Sequence, residues 1–262
     1  MQDLPDQSLR NPKQRYIMFL EESPLMDSYP AMELFTYDSP PYRKLGGFFN
    51  WTMSYRRESD IYVPYGWIVP HNHNFQYPPL SPISWTDYMN TTNSLGSIER
   101  FQNLKAVEEF GVNKVEIAWI VSHCHTTSNR EGYVRNLQKY MPVDIYGRCG
   151  TKLCPDDANC FPHISKNYKF YLSFENSLCE DYVTEKFFEA MSYDVLPIVY
   201  GSALYAEIAP PSSYISVLPE FENPEHLSNY LKVHFNIKEH LQHMYICVPF
   251  ISANSVLLHD SK

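Results

Sequence analysis

The sequence predicts an α/β fold built on parallel strands, and three observations lead there. Residues Tyr168 to Gly201 read as an apolar run, a helix and a β-branched run closed by glycine, the signature of a β-α-β unit. From Ser97 to Gly147, helical and strand patterns alternate, as in a doubly wound domain. Near the start, Arg15 to Leu20 (RYIMFL) is a short apolar strand that ends in two carboxylates.

In chain order, that first strand delivers Glu21-Glu22-Ser23-Pro24. Carboxylates at a strand end, pinned by proline, can line a cleft, and one can serve as a general base if partial burial raises its pKa. A solvated turn is the alternative. Met26 to Lys44 is loop-like, with prolines at 30, 40 and 41, and Phe48 to Asp60 (FFNWTMSYRRESD) follows. Arg56 and Arg57 fit structural ion pairs better than direct ligand contact. Ile61 to Pro70 reads as a strand and turn, and His71 to Asn93 as an irregular linker rich in His, Asn and Pro. His71 and His73 have no acid or cysteine at suitable spacing, so no metal site is expected.

A helix is predicted over Ser97 to Phe110, with Ile98, Phe101, Leu104 and Val107 at helical spacing and Gly111 as its stop. Val115 to Val121 is a buried strand, Ser122 to Arg130 a strand-end loop, Glu131 to Tyr140 a helix and Val143 to Gly147 a strand. Arg130, just ahead of that helix, can grip diphosphate oxygens bidentately; an ordinary surface arginine is the alternative.

In the β-α-β unit, Phe187, Phe188 and Met191 share one helical face with Ala190 beside them, and Thr184 or Asp181 can cap the start. Phe174-Glu175-Asn176-Ser177 emerges at the carboxyl end of the first strand, where such sheets bind ligands. A phosphorylated ligand would meet Asn176, Lys186 and the helix N-terminus, with Glu185 free to accept from sugar hydroxyls. A plain surface loop would have the same spacing. Pro224 to His234 continues as an amphipathic helix.

Composition narrows the class. A chain of 262 residues, 44% hydrophobic and 15% aromatic, can bury a core and is not disordered. A net charge of -9 without a Lys/Arg block argues against nucleic acid or an anionic membrane surface as the main partner. No span of 18 apolar residues occurs, and Met1 to Lys13 is polar, so neither anchor nor signal peptide is read from this stretch. Cys149, Cys154, Cys160 and Cys179 lack paired zinc-site spacing and fit disulfides, with buried thiols as the alternative. Two sequons, Asn50-Trp51-Thr52 and Asn90-Thr91-Thr92, agree with a lumenal origin.

FENSLCEDYVTEKFFEA, with VLPIVYG behind it, resembles the donor-binding signature of the α1,3/4-fucosyltransferases, glycosyltransferase family 10. The E-S-P turn resembles that family's first motif, FFNWTMSYRRESD its second, and AWIVSHCHTTSNR its arginine-bearing segment, with His123 where an asparagine is usual. The resemblance implies a GT-B architecture of two Rossmann-like lobes with an incomplete N-terminal lobe. Residues 1–95 would be part of the acceptor lobe and a linker, 96–235 the donor lobe and 236–262 a divergent tail. It implies inverting transfer of fucose from GDP-β-L-fucose to a GlcNAc hydroxyl of glycoprotein glycans, with Glu22 as base. Arg130, Asn176, Tyr182, Glu185 and Lys186 would bind the donor, helped by the helix N-terminus at Thr184.

No cofactor or metal is required by that scheme, although Mn²⁺ often helps the family. A lumenal Golgi location is implied, with the membrane engaged only through an N-terminal anchor outside this chain. The cysteine cluster resembles invertebrate and plant core-type members more than vertebrate Lewis-type ones, which favours the innermost GlcNAc of N-glycans. Two other readings stay open: a truncated, catalytically silent remnant or isoform that at most binds nucleotide, and a GT-B enzyme using another nucleotide sugar.

Overall fold

A computed structural model of the chain describes residues 7–23, 47–70, 83–92, 114–155, 159–193, 195–234 and 247–251. The chain divides into two units, Met1–Pro64 and Tyr65–Lys262.

In the first unit, the apolar run near the start forms β1 (Ile17–Leu20), and the N-x-T segment forms β2 (Trp51–Ser54) beside β3 (Ile61–Tyr62). The three are parallel, in the order β1-β2-β3, with Ile17 opposite Trp51 and Met53 opposite Ile61. Polar side chains set the register. Asn50 Oδ1 accepts from the Tyr16 amide at 2.9 Å and from Arg10 at 2.6 Å. The Asp60 carboxylate accepts from the Thr52 amide and hydroxyl, and those bonds hold it below the usual carboxylate range. Arg56 pairs with Glu58 at 2.7 Å, a structural ion pair. Phe48 is buried, whereas Ile17, Phe19, Leu20 and Trp51 are exposed.

The second unit opens with β4 (Gly66–Pro70) and α1 (Trp85–Thr92). The segment predicted as irregular linker therefore contains a helix. Its signal was a capping pattern, Ser84-x-x-Asp87: the Asp87 amide donates to Ser84 Oγ, and Trp85 is buried. The helix predicted over 97–110 lies outside the described residues. Next come β5 (Val115–Ile120), α2 (Arg130–Leu137), β6 (Val143–Tyr146) and α3 (Phe161–Asn167). The β-α-β unit follows as β7 (Tyr168–Phe174), α4 (Glu185–Met191) and β8 (Leu196–Tyr200). Then β9 (Ile215–Ser216) precedes α5 (Pro224–Asn229), which is shorter than predicted and passes into a π-helical turn at Tyr230–His234. Finally β10 (Cys247–Ile251) pairs antiparallel with β4.

The main sheet is parallel throughout, in the order β6-β5-β7-β8-β9. The central strand β7 is apolar along nearly its whole length, because helices cover both faces of such a sheet and water reaches neither. Phe170, Leu172, Phe174, Leu196 and Ile198 form its core, and α4 adds Phe187, Phe188, Ala190 and Met191, all buried as the helical pattern requires.

Two disulfides brace the unit. Cys124–Cys149 joins the segments after β5 and β6, and Cys154–Cys160 closes a short loop before α3. Cys124 lay outside the cluster the sequence singled out, since its partner is distant in the chain, and Cys179 is in neither bridge.

Candidate functional site

Strand order reverses between β5 and β7: β6 lies on one side of that pair and β8 on the other. Loops leaving adjacent parallel strands in opposite directions open a crevice at their carboxyl ends. Here those loops are residues 121–129 and 175–184, and hydrogen bonds join them. The Ser128 amide donates to the Asn176 carbonyl at 3.1 Å, and Ser128 Oγ to the Glu175 carbonyl at 2.8 Å. Thr127 Oγ1 lies 3.2 Å from Ser177 Oγ, and Tyr200 Oη donates to the Ser128 carbonyl.

Arg130 belongs to this joint. It is the first residue of α2 and only 3% exposed. Nη1 donates to the Phe174 carbonyl at 2.5 Å, Nη2 to the His123 carbonyl at 3.3 Å, and the guanidinium lies over Trp119. Burial lowers its pKa, against the carboxylates of Glu175 and Glu131. Nε, 3.7 Å from Glu131 Oε1, has no hydrogen-bond partner among the described residues. Two of the donors expected to grip a ligand thus hold backbone carbonyls, one at the end of β7 and one in the loop after β5.

The other four predicted donor residues lie in one loop and helix turn. Asn176 is buried to 9% exposure, with its carbonyl engaged by Ser128 and Thr127. Tyr182 is 1% exposed and meets Tyr65 edge to face, centroids 6.3 Å apart. Glu185 opens α4 and accepts from Lys186 Nζ at 2.9 Å. Lys186 also donates to Thr184 Oγ1 at 2.7 Å and lies 3.7 Å from Glu175 Oε2. Burial pulls its pKa down, but the Glu185 and Glu175 carboxylates outweigh it, and the ammonium sits above the usual lysine range.

Capping differs from expectation. Thr184 occupies the N-cap position, yet its side chain makes no cap bond. Glu175, which the sequence reading assigned no role, accepts from the Thr184 amide at 2.8 Å and from its hydroxyl. The amide that α4 was expected to offer to phosphate at Thr184 is taken by the chain's own carboxylate. Asp181, the other cap candidate, is a turn residue at φ 59°. Glu175 is 0% exposed, and burial pushes its carboxyl up, against the pull of Lys186. An acid directly beyond a mostly apolar, buried strand was the available signal, because its neighbours leave it nowhere wet to go.

Gly201 lets β8 close over this carboxylate: a Cβ there would lie 2.6 Å from Tyr205 Oη and 3.5 Å from Glu175 Cγ. Tyr205 is buried, and burial raises its phenol well above the usual range, with Glu175 adding to the effect. Glu22 belongs to the other unit, where it follows β1 and is exposed. The carboxyl of its neighbour Glu21 is raised, by burial first and then by the Glu22 charge. Among the described residues no three His, Cys, Asp or Glu side chains gather as a metal-ligand cluster.

Comparison with known proteins identifies the family. The family model "Glycosyltransferase family 10 (fucosyltransferase) C-term" matches residues 112–245, and "Fucosyltransferase, N-terminal" matches residues 1–66. Alpha-(1,3)-fucosyltransferase C of Drosophila melanogaster is 36% identical over 231 residues, covering 87% of this chain and 49% of that protein. Glycoprotein 3-alpha-L-fucosyltransferase A of the same organism is 40% identical over 190 residues, covering 70% of this chain and 32% of that protein. The chain thus spans half or less of the length of these relatives. A crystal structure of an alpha1,3-fucosyltransferase with GDP-fucose superposes with a TM-score of 0.52 over 90% of this chain and 67% of the other. At 20% identity that likeness is one of fold.

Proposed function

Because the chain belongs to glycosyltransferase family 10, the fucosyltransferases, we propose that it transfers fucose from GDP-β-L-fucose to a GlcNAc hydroxyl of glycoprotein glycans, forming an α1,3 linkage with inversion. The observation that carries the reading is the joined pair of loops at the β5/β7 switch point, which gather Arg130, Asn176, Tyr182, Glu185 and Lys186 at the carboxyl ends of two neighbouring parallel strands.

In this reading Glu22 takes the proton from the acceptor hydroxyl, which attacks the anomeric carbon from the face opposite GDP. Negative charge grows on the departing diphosphate, and Lys186 meets it as a pre-placed cation. Arg130 adds its positive field and keeps the end of β7 in place. Asn176 and Tyr182 border the nucleotide, and Glu185 accepts from ribose or fucose hydroxyls. Residues 1–95 serve the acceptor side and the linker, 96–235 bind the donor, and 236–262 form the tail. GDP-fucose is the only small molecule the scheme needs, and Mn²⁺ acts at most as a stimulant. The setting is the Golgi lumen, and the favoured acceptor is the innermost GlcNAc of N-glycans.

Two measurements on the same preparation test this: calorimetry with GDP, and transfer from radiolabelled GDP-fucose to N-glycan acceptors beside a UDP-sugar control. Binding with transfer supports it. GDP binding without transfer supports instead a silent remnant that retains the nucleotide site, and transfer from a UDP-sugar refutes the donor assignment.

A further inference from the structure

Glu175 is fully buried, and the transfer scheme gives it no step. Both of its oxygens address one turn. Oε1 accepts from the Thr184 amide at 2.8 Å, and the Thr184 hydroxyl lies 3.1 Å from Oε1 and 2.9 Å from Oε2. A hydroxyl has one proton and two lone pairs. With its proton directed at Glu175, its lone pairs remain for Lys186, whose Nζ donates to it at 2.7 Å. The same ammonium lies 3.7 Å from Glu175 Oε2.

Resting on the donor-site reading above, we infer that Glu175 is a positioning residue: its buried carboxylate orients the Thr184 hydroxyl and, through it, the Lys186 ammonium that meets the donor diphosphate. A helix cap alone would not need a charge here. A neutral amide oxygen can accept from the Thr184 amide as well as a carboxylate can, and burying an ion carries a desolvation cost that only a close counter-charge offsets. The charge therefore serves the cation rather than the cap.

Among the described residues, few titratable groups face this cluster. Glu185 shares Lys186 from the same helix, and Arg130 of α2 acts on both Lys186 and Glu175. Tyr171 of β7 feels Glu189, Glu185 and Glu175, Tyr205 feels Glu175, and Tyr182 acts on Arg130. The sequence of β4, Gly66–Pro70, has no titratable side chain. Of the two carboxylates that hold Lys186 protonated, Glu175 is the one that faces no solvent.

The test compares the parent chain with Glu175→Gln, which keeps the size and the amide acceptor but removes the charge, using GDP as the probe in calorimetry across pH. Roughly tenfold weaker GDP binding is expected at neutral pH, the size of a lost charge-assisted contact. The parent should hold its affinity well into the alkaline range, whereas the variant should lose affinity at lower pH, because one of the carboxylates keeping Lys186 charged is gone. A role confined to the fold would change thermal stability and leave that alkaline limb in place. Equal affinity and an unmoved limb overturn the inference while leaving the fucosyltransferase reading intact; a parent chain that binds no GDP overturns both. Should Glu175→Gln fail to fold, Thr184→Val and Thr184→Ser decide. About tenfold weaker binding in the valine form, recovered to within about twofold by serine, supports the relay. Equal affinity of the valine form and the parent refutes it.

Discussion

The two parallel sheets among the described residues differ in how they treat their charged residues. In the sheet of the second unit, the strand-end acid Glu175 is sealed from water and matched by Lys186 and Arg130, so its environment is built into the unit itself. In the three-stranded sheet of the first unit, the strand-end acid Glu22 is exposed, and β1 and β2 present Ile17, Phe19, Leu20 and Trp51 to solvent. A self-contained charge set can bind on its own, whereas an exposed carboxylate acts only on what is brought to it. Nucleotide affinity should therefore depend on the second unit, and turnover on both.

The largest effect that would sharpen this contrast is kinetic. Glu22→Gln is expected to lower transfer from GDP-fucose by roughly 100- to 10,000-fold, the usual cost of losing a general base, with the calorimetric Kd for GDP unchanged. Equal turnover by variant and parent would remove Glu22 from the mechanism. Lys186→Ala should do the opposite, weakening GDP itself by a few kcal/mol; an unaltered Kd would break the assignment of the binding cation to α4.

Stability offers a smaller contrast. The Cys124–Cys149 bridge closes 25 residues and Cys154–Cys160 closes 6. Loop-closure entropy then gives about 3.5 kcal/mol for the first and about 2 kcal/mol for the second. Paired Cys→Ser variants compared by urea unfolding should keep that order, and only loss of the longer bridge, beside the Arg130 loop, should also weaken GDP. Smallest of all, Arg56→Ala should shift the unfolding midpoint by the equivalent of less than about 0.5 kcal/mol, since its partner Glu58 is largely exposed.

Much of the second unit was legible in advance because its signals are local. Strands β5, β6, β7 and β8 and helices α2 and α4 follow from short, mostly apolar runs and helical spacing, and the turn carrying Asn176, Tyr182, Glu185 and Lys186 lies within a single motif. What escaped was non-local or masked by composition. The Cys124–Cys149 pairing depends on where β5 and β6 end in space. The partners of Arg130 are carbonyls, which every residue has and no sequence pattern marks. Helix α1 was hidden by the prolines and asparagines before it, although Ser84 and Asp87 announced its start. The buried setting of Glu175 became evident only once Gly201 and Tyr205 were seen to close over it.

The pairing of β4 with β10 places Gly66 opposite Ile251 and Pro70 opposite Cys247. A version trimmed at Tyr245, where the match to the family model stops, would strip that antiparallel partner and leave the backbone of Gly66–Pro70 as a bare edge. Proteolytic nicking ahead of Cys247 would have the same result, so self-association of shortened forms, visible as a rise in light scattering, is the expected penalty for removing the end of the chain.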